Sequence, residues 1–390
     1  TWVDATGRGR VYSWIVVHKN PDLYWRTQIP YVSAIIELED QARLYMPGLI
    51  TGAAPSAIHA DLPVQVWFDE VAPGHKLPRW SDRTGPLAGL RVIEMAGLGP
   101  GPFCAMLLAD LGADVLRIGR PGEQDHVSSL LALERGKAKL QLDLKEPASV
   151  SALLDLIAVS DVLIEGYRPG VMERLGLGPN ACLRRNPALV YGRMTGWGQD
   201  GPLAAAAGHD LNYIALSGAL AAIGPAERPV PPLNLVGDFG GGALYLAVGI
   251  LAALRSAAVT GRGQVVDAAM SEGAAHLMTP FYGLYASGAW SLNRASNFAD
   301  GGAHFYSIYQ SRDGHWWTVA AIEPQFYAAV VQGLGLSEVL PLAEQWDAAR
   351  WPNDKSHFEA AFAERTSADL AAAFDGKDAC VFRVLDMKTA

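Results

Sequence analysis

The chain has 390 residues, 50% of them hydrophobic and 18% charged, with a formal net charge of -9. That length suits two or three domains with sizeable cores, and the acidic balance excludes a general nucleic-acid binder. The three cysteines, Cys104, Cys182 and Cys380, lie far apart and form no C-x-x-C pair. Neither a disulfide framework nor a zinc site is therefore expected, no other metal is expected, and a reducing, cytoplasmic setting is expected.

Residues 1 to about 82 read as short strands separated by turns, the pattern of a small all-β barrel. The β-branched and aromatic runs are Val11 to His18, Pro30 to Leu38, Ala42 to Met46 and Val64 to Phe68. The segment Lys76 to Leu87, with Pro78, Gly85 and Pro86, reads as a linker. From about residue 85 the pattern changes to strand–helix–strand. Leu90 to Met95 is an apolar strand, Gly97 to Pro102 a turn, Phe103 to Leu111 a helix, and Asp114 to Ile118 a second strand. This βαβ unit implies a parallel, Rossmann-like α/β sheet. A second unit follows through a helix at Ala148 to Ala158 and strands at Val162 to Glu165 and Leu189 to Tyr191. The larger domain is expected over about 85–270, and a smaller α+β domain over about 271–390, with a hairpin at Asp313-Gly314. The longest apolar run, Ala243 to Ala258, is interrupted by Gly249 and reads as a buried helix, so no membrane span is expected.

The turn Gly97 to Pro102 joins a strand to a helix and could cradle phosphates, but Pro100 and Pro102 remove two N–H donors. A dinucleotide site would need an acid after the second strand, where Arg117 and Arg120 stand instead. Arg135, Lys137, Lys139, Arg168 and Arg174 read first as solvated surface, with a ligand role open because they lie beside turns at strand ends. Asp210 follows His209 at the start of an apolar helix, and Asp238 stands among apolar residues and glycines. Each is read as a helix N-cap or as a functional carboxylate.

On longer blocks the chain resembles the 2-methylacyl-CoA racemases of the family III CoA-transferase superfamily, from about Leu87 to Leu385. The blocks are GLGPGP (Gly97–Pro102), LADLGAD (Leu108–Asp114), DVLIEGYRPGVMERLGLG (Asp161–Gly178), TGWGQDG (Thr195–Gly201), GHDLNY (Gly208–Tyr213), PPLNLVGDFGGG (Pro231–Gly242), GRGQVVD (Gly261–Asp267) and AIEPQFY (Ala321–Tyr327). The resemblance implies that His209 and Asp238 are a pair of bases and that Glu323 hydrogen-bonds the histidine. It implies coenzyme A contacts at Arg120, at Gln141, Leu142, Asp143 and Leu144, and at Gly208, Asp210, Leu211, Asn212 and Tyr213, with Arg174 as an active-site arginine. Inverting a centre α to a thioester needs a base on each face of a planar enolate, and donors for the enolate oxygen. Coenzyme A enters as part of the substrate, and the chemistry requires no metal, flavin or nicotinamide. The resemblance also implies an interlocked homodimer, and a C-terminal segment beyond Ala390 that returns to the first domain.

Two other functions stay open. In a CoA-transferase Asp210 would be the acyl-accepting nucleophile, although the His209 that precedes it favours the racemase. A chain short of the return segment could be a non-catalytic acyl-CoA-binding protein. Residues 3 to 82, with GRGRVYSW at Gly7–Trp14 and LPRW at Leu77–Trp80, resemble the OB-fold module of acyl-CoA-associated proteins of domain-of-unknown-function family 35, without that family's zinc ribbon. This implies docking to an acyl-CoA enzyme partner.

Overall fold

The computed structural model describes residues 6–18, 31–51, 55–72, 75–81, 85–122 and 132–390. At the N-terminus β1 (Arg8–Val17), β2 (Tyr31–Leu38), β3 (Tyr45–Thr51), β4 (Pro63–Ala72) and β5 (His75–Ser81) close a barrel in the order β1-β2-β3-β5-β4. Val11, Val32, Ala34, Ile36, Ile50, Ile58, Val64 and Trp80 fill its centre. These core positions alternate with exposed ones along β1 and β2, as a sheet with one wet face requires. Between Val11 and Ser13 the β1–β2 register slips, and the extra residue, Tyr12, projects into solvent as a β-bulge.

The linker reading is corrected here, because β5 occupies its first half. Pro78 pairs with Phe68 of β4 on one side, and the parallel pairing with β3 begins only at Arg79. A proline fits a strand where one side of the ladder is unused. Asp82, Arg83 and Thr84, the expected boundary between modules, lie outside the described residues, as does Pro30 of the expected second strand.

The chain then runs β6 (Arg91–Met95), α1 (Pro100–Asp110), β7 (Asp114–Gly119), β8 (Lys137–Gln141), α2 (Pro147–Ala158), β9 (Val162–Glu165), α3 (Val171–Arg174), α4 (Pro179–Arg185) and β10 (Val190–Thr195). It continues through α5 (Asp210–Leu216), α6 (Ala219–Ala222), a π-helical turn (Leu235–Ala243), α7 (Leu244–Thr260) and β11 (Val265–Ala269). The six strands β6 to β11 form one parallel sheet in the order β11-β10-β9-β6-β7-β8. Read from β8, this is the 3-2-1-4-5-6 order of a doubly wound fold, with its switch point between β6 and β9. Every residue of β9 and β10 is buried, as expected for strands covered on both faces.

The π-helical turn and α7 together make a helix of 26 residues, Leu235–Thr260, whose most apolar 18-residue stretch has mean hydropathy 1.8. By length and composition alone it could cross a membrane, so the expectation of no such run is corrected. Gly249 does not interrupt it: a Cβ there would lie 2.6 Å from the Val266 side chain of β11, and its absence lets the helix press on the sheet. The helix packs against β10 and β11.

Beyond β11 come α8 (Met270–Leu277), α9 (Thr279–Ala286), β12 (Tyr306–Gln310), β13 (Trp316–Ala320), α10 (Pro324–Gly333), α11 (Trp351–Ala363), α12 (Ser367–Phe374) and β14 (Val381–Arg383). The three strands form an antiparallel sheet in the order β12-β13-β14, and the expected turn at Asp313-Gly314 joins the first two. Phe305, Tyr309, Trp317, Tyr327, Phe358 and Phe362 dominate the core beneath it.

Two compact units result, Thr1–Ala207 with Asp238–Met270, and Gly208–Gly237 with Ser271–Ala390. Residues 208–237, assigned from sequence to the larger domain, thus group with the C-terminal part of the chain. The helices α5 and α6 explain this: Ile214 and Ala219 pack with Ala274 of α8 in a small apolar cluster of the second unit.

Candidate active site

In the second unit His209 is the N-cap of α5, with extended backbone at φ -135 and ψ 173. Its N–H donates to Asn212 Oδ1 at 3.0 Å, so Asn212 fixes the approach of the chain to the helix. The N-cap expected at Asp210 therefore belongs to His209, and Asp210 is the first helical residue. His209 is exposed and Asp210 is buried. A Cβ at Gly237 would lie only 2.4 Å from Asp210 Oδ1, so glycine is what lets the carboxylate rest on that backbone. Tyr213 is buried and its hydroxyl donates to the carbonyl of Gly208, while Leu211 is exposed. Glu323 is exposed at the N-cap of α10, and its carbonyl accepts from the Tyr327 N–H at 3.0 Å. Among the described residues no hydrogen bond joins Glu323 to His209. The two are brought into one unit but not into the contact that the resemblance implies.

In the first unit Asp238 sits inside the π-helical turn, not at an N-cap. Single π turns are concentrated at functional sites, because the wider turn re-aims a side chain. Asp238 Oδ2 lies 3.2 Å from where a Cβ on Gly99 would stand, and Gly99 has φ +69, a conformation that glycine adopts without strain. The ring of Phe239 packs on Phe103 of α1 at a centroid distance of 4.7 Å. Asp238 is thus seated on the Gly97 to Pro102 turn, at the carboxyl end of β6 and beside the switch point, where doubly wound sheets bind ligands. The two prolines fall in the first turn of α1, where an N–H has no helical partner to lose.

Arg120 follows the end of β7, and Gln141 ends β8, paired in register with Gly119. Leu142, Asp143 and Leu144 come next, with Asp143 Oδ1 accepting from the Lys145 N–H at 3.0 Å. Arg120, Gln141 and Asp143 are exposed, and Leu142 and Leu144 half-buried, so the expected coenzyme A residues of this unit gather on the carboxyl side of adjacent strands. Arg174 is exposed at the end of α3. The helix it ends is clamped by Arg193, which bonds Glu165 at 2.8 Å and Glu173 at 2.9 Å. Burial pushes the Glu165 carboxyl up, opposed by the Tyr167 N–H and by Arg193.

With this geometry in view, residues 87–390 match CoA-transferase family III, and residues 2–69 match the C-terminal OB-fold domain of ChsH2. The chain belongs to CoA-transferase family III. This family III chain carries the ChsH2-type OB-fold domain at its N-terminus. It is 49% identical over 306 residues to alpha-methylacyl-CoA racemase of Mus musculus, covering 78% of this chain and 79% of that one. The same racemase of Homo sapiens is 49% identical over 301 residues, 77% of this chain and 78% of the relative. A crystal structure of a hypothetical protein from Mycobacterium tuberculosis superposes with TM-score 0.66 at 28% identity, over 79% of this chain and 86% of that one.

Lys137 corrects the reading of the cationic run as solvated surface or ligand contact. Its ammonium is fully buried, 2.6 Å from Glu94 Oε2 and 3.0 Å from the Pro102 carbonyl. Burial pushes the Glu94 carboxyl up and Lys137 opposes it. The signal was present in the sequence: Glu94, Glu165 and Arg193 each interrupt or end a short strand made mainly of uncharged residues. A charge in such a strand requires a buried partner.

Proposed function

We propose that this family III chain racemises 2-methylacyl-CoA thioesters by removing the α-proton on one face and returning one on the other. The observation that carries the reading is a histidine, His209, at the entry of α5 directly before Asp210, beside relatives of equal identity that bear the racemase name. His209 is exposed, as a base must be to meet a substrate. Asp238 is the second base, held on the Gly99 turn. The N–H groups that open α5 supply donors for the enolate oxygen. Arg120 and the 141–144 segment carry the nucleotide end of coenzyme A, and Arg174 binds at the same site. Glu323 supports the imidazole once substrate is in place. The working enzyme is a homodimer, and the barrel docks an acyl-CoA enzyme partner.

The test is α-proton exchange of each enantiomer of a 2-methylacyl-CoA in D₂O, followed by NMR and chiral analysis. Deuterium incorporation with loss of optical purity is expected, and His209→Ala should abolish racemisation together with exchange of the enantiomer whose α-proton faces His209. A folded, coenzyme-A-binding sample that exchanges neither enantiomer overturns the reading. The second reading, acyl transfer through Asp210, is favoured by the burial of that carboxylate, which would shelter an acyl-aspartate. It predicts activity only with an added carboxylic acid acceptor, and greater loss from Asp210→Ala than from His209→Ala.

A further inference from the structure

The buried Lys137–Glu94 pair spans the two ends of the turn on which Asp238 rests. Glu94 lies on β6, before the turn, and Pro102 lies in the first turn of α1, after it. Lys137 reaches both from β8, with its own side chain and that of Glu94 fully buried. The intervening loop carries Gly99, and the residue after Pro102 is Phe103. Both positions meet the Asp238 segment, Gly99 at the Asp238 carboxylate and Phe103 at the Phe239 ring. A lysine that sees no solvent contributes nothing to a substrate phosphate. An ion pair before a turn and a hydrogen bond after it, made by one ammonium, do constrain where that turn can sit.

We infer that Lys137 is a positioning residue for Asp238, bracing the Gly97 to Pro102 turn so that the carboxylate meets one face of the substrate. The inference rests on the proposed role of Asp238 as a base. The brace acts on one face only: Lys137, Glu94, the turn and Asp238 all belong to the first unit, whereas His209 belongs to the second. Its loss therefore has an asymmetric signature, which a merely destabilising change would lack.

Two variants test it. K137M strands the Glu94 carboxyl in the interior and can prevent folding by that route. E94M/K137M removes the charge pair as a unit, an exchange that buried ion pairs often tolerate, while still losing the tether to Pro102. In the double variant, amide hydrogen exchange over 96–103 and 236–243 is expected to rise, with 162–165 and 190–195 unchanged. Exchange of the α-proton facing Asp238 should fall roughly 10- to 100-fold, the cost of displacing a reacting group by about an ångström. Exchange from the opposite enantiomer, through His209, should stay close to wild type. Equal loss from both enantiomers, or unchanged amide exchange over 236–243 in the folded double variant, overturns the inference. If wild-type protein exchanges neither enantiomer, the racemase reading falls by itself, and the amide exchange still decides whether Lys137 braces the Asp238 segment.

Discussion

The barrel and the parallel sheet bury their strands in opposite ways. Along β1 a buried Val11 is followed by exposed Tyr12 and Ser13, and Ile15 is 65% exposed. Along β10 no position is exposed. A barrel of this size has one inner face to fill, so half of each strand is free to be polar. A doubly wound sheet is covered on both faces, so any ionisable residue in its strands must bring its own counter-charge. The cluster at the centre of the barrel is accordingly apolar, although Arg79 of β5 is buried too, whereas Glu94, Glu165 and Arg193 all lie within the sheet as paired charges. The difference teaches where a charge can be replaced freely and where it cannot.

The largest expected effect would break this comparison if absent. Arg193→Met leaves the Glu165 carboxylate buried without its guanidinium and frees Glu173, so stability should fall by about 3–5 kcal/mol in denaturant unfolding. Coenzyme A affinity should fall with it, because α3 carries Arg174.

A buried histidine sharpens the contrast, because burial outweighs the opposing charge of Asp354. His304 is fully buried in the second unit, its Nε2 2.8 Å from the Tyr327 hydroxyl, and burial lowers its pKa to about 4. The folded form holds the ring neutral while the unfolded chain protonates near 6.5, so the unfolded state binds more protons between those values. Stability from this group is complete above about pH 6.5 and is lost as pH falls toward 4, by up to about 3 kcal/mol. Unfolding measured from pH 7 to 4 should show this slope, and His304→Phe should flatten it.

Within the barrel the inner face should respond and the outer face should not. Ile36→Val, at a fully buried position, should cost about 1 kcal/mol. The smallest effect belongs to Ile15→Thr on the wet face, with a change below about 0.5 kcal/mol by thermal unfolding. Equal costs at the two positions would mean that Ile15 is covered by a partner in solution.

Period and punctuation in the sequence were enough for the barrel strands β1, β2 and β4, the βαβ unit around Gly97 and the hairpin at Asp313-Gly314. These follow from short-range preferences: alternation, glycine and proline turns, and strand–helix succession. The strand β5 was hidden because Pro78 usually ends a strand, and only its pairing partners show that one side of the ladder was unused. His209 and Asp210 could be singled out beside each other, but which of them caps α5 depended on Asn212 turning back to the His209 N–H.

The sequence by itself determined the family, the succession from barrel to parallel α/β sheet and the residue types available for chemistry. Only the tertiary structure decided that Lys137 is buried rather than solvated, that Asp238 rests on Gly99, and that residues 208–237 join the C-terminal unit. Each of those outcomes rests on contacts between residues distant along the chain. A lysine is exposed by default, and only a carboxylate 43 positions earlier (137 minus 94), brought beside it by parallel pairing through β7, makes its burial stable.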